Sequence, residues 1–198
     1  MIGEAMSKSS VLKLLIGSAI TIILDQWSKA WAVSTLYINA AQGAVPPDPS
    51  ALYSKNIKVY SWFNYHLVGN KGAAWGIFRD LPETWRVPFF VVLGCIALGI
   101  LLTLYFKNEG QTLLQTALIF ICGGAIGNLI DRVNIGYVID FIDWHYHGKH
   151  WPTFNIADVA ISVGVGLLFI DMIIQAKLAK EQMQAEQAEQ AEQAEQSK

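Results

Sequence analysis

Apolar residues are concentrated in four long stretches, and the segments between them are rich in polar, charged, aromatic or proline residues. Each stretch approaches the roughly 20 residues that an α-helix needs to cross about 30 Å of hydrocarbon. A run of this length with few charges is typical of a membrane-spanning helix. The pattern therefore predicts four spans, at about residues 11–33, 85–106, 113–130 and 154–176.

The remaining residues form two loops and two terminal segments. Because the number of spans is even, both loops, at residues 34–84 and 131–153, should lie on one side of the membrane, with both termini on the other. The expected organisation is an N-terminal tail at residues 1–10, a membrane domain at residues 11–176 and a low-complexity tail at residues 177–198. The last segment repeats Ala-Glu-Gln without an apolar face, so we expect a solvated, fraying helix or a disordered tail.

The first loop combines two compositions. Its beginning, AAQGAVPPDPS, is rich in proline and glycine, which favours irregular structure. Its middle, IKVYSWFNYHLV, is rich in β-branched and aromatic residues, which favours strands. The predicted fold is therefore an all-α polytopic membrane protein with four transmembrane helices and a small β/loop subdomain outside the membrane. Small residues should let the helices pack closely, namely Gly123, Gly124, Gly127, Gly164 and Gly166.

Composition supports this class of protein and excludes others. The 198 residues are 53% hydrophobic and 15% charged, with a mean hydropathy of +0.35, which is too apolar for an ordinary soluble domain of this size. The net charge of -2 provides no basic surface, so we do not expect nucleic-acid binding. Basic residues flank both ends of the spans, so charge alone leaves the orientation in the membrane open.

Several carboxylates lie at the ends of the third and fourth stretches, although an ionised acid inserted into hydrocarbon costs about 2.5–3.5 kcal/mol. Two carboxylates held close together in a partly dry site cannot both ionise easily, so one keeps its proton. Such a pair can activate water with one member and polarise a peptide carbonyl with the other, which is the chemistry of an aspartic peptidase. The candidates are Asp131, Asp140, Asp143 and Asp158.

Structural explanations compete with this chemistry. Asp158 is equally well explained as a helix-start residue that interacts with the helix dipole, and Asp140 as a solvated loop residue. Asp131 directly precedes an arginine, which suggests an ion pair between these neighbours or a helix cap. Asp25 and Lys29 stand four residues apart, so they should form a local pair that points into the helix bundle.

Two other classes of function remain open from the residues alone. Asp143, His145, His147 and His150 cluster in one loop, and histidine with carboxylate can bind zinc, so a metal-dependent membrane hydrolase is one alternative. Acids near membrane spans also mark ion paths, so a small ion transporter is another. The lack of an H-E-x-x-H sequence argues against the first alternative, and the clustering of the acids at one face argues against the second.

Five short motifs, in order along the chain, resemble those of the lipoprotein signal peptidases, the bacterial signal peptidase II family of membrane aspartic endopeptidases. They are DQWSK at residues 25–29, NKGAAWG at 70–76, GNLIDR at 127–132, VIDFID at 138–143 and FNIAD at 154–158. The resemblance implies removal of the signal peptide from a diacylglyceryl-modified prolipoprotein, just before the lipid-bearing cysteine. It also implies a location in the bacterial plasma (inner) membrane, with cytoplasmic termini and an extracytoplasmic active site at the outer face.

The resemblance also assigns roles to residues. It places the catalytic pair at Asp140 and Asp158, whereas the residues alone do not favour Asp140 over Asp143. It implies that no cofactor and no metal ion are needed. We expect membrane lipids as further partners and a monomer as the working unit. Supporting roles, in shaping the site or holding the substrate or loop, fall on Asp25, Lys29, Asn70, Gly72, Asn128, Asp131, Arg132, Asn155 and Ala157.

The chain departs from the family pattern in three places. The family usually has Arg before the Asn of its second motif, whereas Gly69 precedes Asn70 here, so the side chain that would make a polar contact is missing. The segment from about Ala40 to Lys58 is longer than the usual outer loop, and the repetitive tail is not a family feature.

Overall fold

Four long helices dominate the computed structural model, which describes residues 7–37, 56–72, 78 and 80–196. In chain order, each contains a segment that is long and apolar enough to cross a membrane, judged by length and composition. The predicted fold class, a four-helix polytopic membrane protein, is therefore confirmed. The helices are α1 (Lys8–Leu36), α2 (Glu83–Lys107), α3 (Thr112–Ile135) and α4 (Ile156–Gln196).

Helix α3 lies at the centre of the bundle and packs against the other three helices. In the apolar segment of α3, 44% of the residues are buried. In that of α2 only 6% of the residues are buried, and large apolar side chains point outward. An apolar surface of this kind on a helix of this length suits contact with lipid rather than water. The interior of the bundle therefore depends mainly on the contacts of α3 with α1 and α4.

Glycines allow α3 and α4 to approach closely. A Cβ atom added at Gly124 would collide with the carbonyl oxygen of Ala157, and one added at Gly164 would lie 2.7 Å from the carbonyl oxygen of Ala117. The predicted packing role is thus supported at these two positions. It is also supported at Gly123 and Gly127, where an added Cβ would lie 2.6 Å from Thr21 and 2.5 Å from Asp25 of α1. It is wrong for Gly166, because an added Cβ there meets nothing within 4 Å. Gly166 lies on the exposed side of α4.

A four-stranded antiparallel sheet joins the two predicted outer loops. Its strands are β1 (Ile57–Tyr60), β2 (Phe63–Asn70), β3 (Val138–Tyr146) and β4 (Lys149–His150), in that spatial order. Strands β1 and β2 come from the first loop, and β3 and β4 come from the second. The small β subdomain is therefore confirmed, and both loops lie at the same end of the bundle.

The sheet is anchored on the C-terminal end of α1. Ala32 and Leu36 from this helix form a buried apolar cluster with Leu67 of β2 and Phe141 of β3. Gly136 ends α3 in the left-handed conformation, with φ of 80°, and turns the chain directly into β3. These two features fix the position of β3 relative to the helices.

Some element boundaries differ from those predicted. Helix α3 continues to Ile135, so Asp131 lies in the helix and not in the outer loop. Helix α4 begins at Ile156 and continues through the repetitive tail, which is helical to Gln196. Alanine, glutamate and glutamine all have high helix propensity, which accounts for this extension. The unusually long part of the first loop falls mostly on residues 38–55, which lie outside the described residues.

Replacing Gly164 by alanine should destabilise the protein by about 1–3 kcal/mol, because the added methyl group must push α3 and α4 apart. Gly166→Ala is the matched control, since it lies two residues away on the same helix and has open space around it. Thermal unfolding in detergent, followed by circular dichroism, should give a lower midpoint for Gly164→Ala than for the wild type. Equal midpoints for the two variants would contradict the proposed close contact.

Candidate active site

Two carboxylates meet where the sheet joins the end of the bundle. Asp140 lies on β3 and is 2% exposed, and Asp158 lies in the first turn of α4 and is partly exposed. Asn155 contacts both of them. Its side-chain nitrogen donates to Oδ1 of Asp140 at 2.7 Å, and its backbone N–H donates to Oδ2 of Asp158 at 3.2 Å.

The local sequence explains why Asp158 is held at this point. Asn155 is the residue before the first turn of α4, and its Oδ1 accepts a hydrogen bond from the backbone N–H of Asp158 at 3.0 Å. The Asp158 carboxylate accepts the backbone N–H of Asn155 in return. This reciprocal pair is a capping box, with Asp in the third helical position. Asp158 is therefore a helix-start residue, as its structural explanation predicted, and it also lies beside Asp140.

Amide groups surround both carboxylates. The second oxygen of Asp140 accepts a hydrogen bond from Nδ2 of Asn70 at 3.0 Å, and Oδ1 of Asp158 accepts one from Nδ2 of Asn128 at 2.8 Å. All four carboxylate oxygens therefore receive an N–H group from an asparagine. Such contacts fix the direction in which each carboxyl group points.

Burial and the neighbouring acid change the proton affinity of Asp140. Loss of water contact raises the pKa of Asp140 to about 8, and the negative charge of Asp158 acts in the same direction. Hydrogen bonds from Asn70 and Asn155 oppose the rise in pKa, as does the more distant charge of Lys29. Asp140 therefore keeps its proton at neutral pH and can donate a hydrogen bond.

A buried ionic cluster lies below the pair, inside the bundle. Nζ of Lys29 is 2.8 Å from Oδ2 of Asp25 and 2.8 Å from Oδ2 of Asp131. The predicted pairing of Asp25 with Lys29 inside the bundle is confirmed. The predicted pairing of Asp131 with Arg132 is wrong, because Asp131 forms its ion pair with Lys29 of another helix. Neighbouring residues on a helix point in different directions, so sequence adjacency was misleading.

This cluster connects to Asp158 through one asparagine. Lys29 donates to Oδ1 of Asn128 at 3.0 Å, in addition to its two carboxylate partners. The amide nitrogen of Asn128 then donates to Asp158. An ammonium group has three N–H donors, and all three of those of Lys29 are used. The lysine thereby sets which end of the Asn128 amide faces Asp158.

Asp25 also supports the start of α4. Its Oδ1 accepts the backbone N–H of Ala157 at 2.9 Å, so it satisfies one of the N–H groups that lack an intrahelical partner. Gln26 adds a contribution that the sequence did not reveal. Its side-chain nitrogen donates to Asp25 at 3.2 Å and to Asp131 at 3.0 Å. Its place in the first motif was visible, but nothing in the sequence assigned it a partner.

The second motif reaches the site from β2. Oδ1 of Asn70 accepts the backbone N–H of Gly72 at 3.0 Å, which folds the chain back beside Asp140. Arg132 donates to the carbonyl oxygen of Gly72 at 3.1 Å and lies over the ring of Phe90. Gly69 is paired with Ile139 in the sheet. The rest of this motif, at residues 73–76, lies outside the described residues.

The histidine loop forms a separate group. The structure brings together Asp143, His145 and His150, with potential ligand atoms within 4.8 Å of one another. His147 is not in this group and occupies the turn of the β3–β4 hairpin, with φ of 47°. Within the described residues, the predicted four-residue metal cluster is therefore reduced to three residues.

Comparison with known proteins agrees with the geometry. A family model described as signal peptidase (SPase) II matches residues 18–174. A lipoprotein signal peptidase from Janthinobacterium sp. (strain Marseille) is 42% identical over 165 residues, which cover 83% of this chain and 90% of the relative. A lipoprotein signal peptidase from Alteromonas mediterranea is 39% identical over 176 residues, which cover 88% of each chain.

Solved structures give the same result for the fold. A bacterial membrane enzyme determined by the in meso method at 2.3 Å resolution matches with a TM-score of 0.62 and 28% identity. The match covers 89% of this chain and 94% of that enzyme. These comparisons give no support to a metal-dependent hydrolase or an ion transporter. The chain belongs to the signal peptidase II family, the lipoprotein signal peptidases, and is a multi-pass membrane protease that removes signal peptides from prolipoproteins.

Proposed function

We propose that Asp140 and Asp158 are the catalytic pair, and that they cleave a diacylglyceryl-modified prolipoprotein just before its lipid-bearing cysteine. The observation that carries this proposal is the bridging of the two carboxylates by Asn155. Asp143, the other candidate on β3, is bonded instead to Asn64 and His150. Asp158 is also partly exposed, so a substrate can reach the pair.

The environments of the two acids suggest different roles. Asp140 keeps its proton because burial and the charge of Asp158 raise its pKa to about 8. We assign the charge to Asp158, because it is more exposed than Asp140 and its two oxygens accept N–H groups from Asn128 and Asn155. Asp140 is therefore the general acid of the resting pair, and Asp158 is the general base.

Hydrolysis then proceeds in two steps. Asp158 takes a proton from water while the water oxygen attacks the peptide carbonyl carbon, and Asp140 gives its proton to the carbonyl oxygen. The resulting diol collapses when Asp158 passes its proton to the amide nitrogen and the C–N bond breaks. Asp140 recovers its proton from the diol hydroxyl, which restores the starting state. The sequence of steps is balanced without a metal ion or an organic cofactor.

The remaining supporting residues act through these two acids. Asn70, Asn128 and Asn155 orient the carboxylates by hydrogen bonds. Asp25, Lys29 and Asp131 are almost completely buried, so they hold the helices and the asparagines in place and do not contact substrate. Arg132 and Gly72 position the loop that follows β2, and Ala157 brings its backbone N–H to Asp25.

We place the enzyme in the bacterial plasma (inner) membrane with both termini, residues 1–10 and 177–198, in the cytoplasm. The membrane domain comprises residues 11–176, and its active site faces outward. The sheet and the pair lie at one end of the bundle, which supports an active site at one membrane face, and the resemblance to the family supports the outer face. Exposed apolar side chains along the helices make membrane lipids the natural surroundings. Since one chain supplies both acids, a monomer is sufficient for the reaction.

Asp140→Asn and Asp158→Asn should each lower cleavage by about 10³-fold or more, because each removes a proton donor or acceptor that the reaction requires. Cleavage of a purified diacylglyceryl prolipoprotein in detergent, with and without a chelator, is the measurement. Asp80→Asn, at an exposed position, is the matched control and should cleave normally. Normal turnover by either pair variant would refute the assignment, provided that all variants show similar thermal unfolding.

The cleavage rate should fall as the pH rises above about 8, because the general acid Asp140 then loses its proton. Below this pH Asp140 holds its proton, so the profile should be flat there. The measurement is kcat/KM from about pH 6 to pH 10, and the apparent pKa belongs to the coupled pair. Thermal unfolding at each pH is the control for loss of folded enzyme. Full activity at about pH 10 would contradict the role of Asp140.

Lys29→Met should destabilise the protein by about 3–5 kcal/mol, because it leaves two buried carboxylates facing each other without their shared cation. Cleavage should fall as well, since Asn128 loses the contact that orients it towards Asp158. Lys13→Met is the matched control, at an exposed position on the same helix, and should behave like the wild type. Similar unfolding midpoints and similar cleavage rates for the two variants would show that the ionic cluster contributes neither to stability nor to cleavage.

A further inference from the structure

We propose that Asp143, His145 and His150 form a binding site for a first-row divalent transition metal such as Zn²⁺, at the edge of the sheet and separate from the peptidase pair. This site goes beyond the cleavage reaction, which does not require it. It rests on the geometry of the β3–β4 hairpin, on the chemistry of the three side chains and on an unsatisfied buried amide beside them.

The hairpin brings the three residues together. Asp143 and His145 are two positions apart on β3, and side chains alternate along a strand, so both project from one face of the sheet. His150 of β4 lies directly opposite His145 in the antiparallel pairing. Cross-strand partners have their side chains side by side. A short hairpin therefore supplies two imidazoles and one carboxylate at one point.

The distances suit a small metal ion. Nδ1 of His150 lies 2.7 Å from Oδ1 of Asp143, and Nδ1 of His145 lies 3.9 Å from Oδ2 of the same carboxylate. In a tetrahedral zinc site with bonds of about 2.0–2.1 Å, ligand atoms are about 3.4 Å apart. The observed separations fall on either side of this value. Small side-chain rotations are therefore enough to surround an ion.

Asn64 provides an independent indication of a missing partner. Its side chain is buried, and its nitrogen lies 3.3 Å from Oδ2 of Asp143 and 3.4 Å from Nδ1 of His145. Its Oδ1 is buried without any hydrogen-bond partner. Buried polar groups in native proteins are nearly always hydrogen-bonded, so an exception beside two of the proposed ligands indicates that this site has a further partner.

The ligand types select the class of metal. Two imidazole nitrogens and one carboxylate oxygen favour Zn²⁺, Co²⁺, Ni²⁺ or Cu²⁺, whereas Ca²⁺ and Mg²⁺ prefer oxygen ligands alone. The His150 side chain is 55% exposed, so an ion can enter from the solvent. An open recess next to the histidines, lined also by Trp62, Trp144 and Trp151, leaves space for water as a fourth ligand. Lys149 lines the same recess and opposes a cation, which weakens binding.

The metal site is separate from the peptidase pair. Asp140 and Asp143 are three positions apart on β3, so their side chains project from opposite faces of the strand. Asp140 is opposite Val68 on β2, whereas Asp143 is opposite Asn64. A bound ion would therefore connect β3 with β4 at the sheet edge, and it would not contact the reacting atoms.

The test is a Co²⁺ titration of the full-length protein in detergent, purified without a histidine tag. Tetrahedral or five-coordinate Co²⁺ bound by imidazole gives visible absorption bands, which Zn²⁺ should displace. We expect one equivalent to bind to the wild type and at least about a 10-fold loss of affinity in His150→Ala and in His145→Ala. His147→Ala is the matched control, because His147 lies in the same hairpin but outside the group.

Each outcome decides the proposal. Absence of saturable binding to the wild type, or an equal loss of affinity in His147→Ala and His150→Ala, would overturn it. Circular dichroism and thermal unfolding of each variant show whether the hairpin variants are still folded. Asp143→Asn offers a second route, since it keeps the size of the side chain but removes the charged ligand. If cleavage required the metal, the separation from the peptidase pair would be overturned. If Asp140→Asn or Asp158→Asn cleaved normally, the proposed catalytic pair would be wrong, but the result of the Co²⁺ titration would still stand.

Discussion

The structure depends on the cost of placing charged groups away from water. An isolated buried charge costs several kcal/mol, so each one must find its partners inside the bundle. Lys29 satisfies this requirement for two acids at once, and its third N–H reaches Asn128. Because the partners come from α1 and α3, and Asp25 also holds the first turn of α4, a single ionic cluster sets the relative positions of three helices.

The close packing of the helices follows from the same requirement. The ionic cluster works only if α3 lies near both α1 and α4, and glycines at the contact points permit that approach. The sheet packs against the end of the bundle, because its apolar cluster contacts the end of α1. Its strand β3 carries Asp140. The packing of the helices thus fixes the position of Asp158, and the docking of the sheet fixes that of Asp140 beside it.

Hydrophobic pattern and composition were sufficient to predict the four helices and the sheet, because these signals are local. The ion pair of Asp131 was mispredicted, since its partner Lys29 is distant in sequence and close only after α1 and α3 pack. The preference for Asp140 over Asp143 also depends on tertiary structure, here on the position of Asn155. At the level of the sequence, only the resemblance to a family favoured Asp140 over Asp143. Gln26 and Asn64 have no role that a linear pattern reveals, because their partners lie on other elements.

The asparagines around the two acids have a further consequence. Each of Asn70, Asn128 and Asn155 turns its NH₂ group towards a carboxylate, so the positive end of every amide dipole faces the pair. Amides do not ionise, so this arrangement has the same polarity in acidic and in alkaline surroundings. A single-atom exchange of amide nitrogen for oxygen would replace an attraction by a repulsion at the same distance. An Asn→Asp change at any of these three positions would therefore impair the pair although the side chain keeps its size.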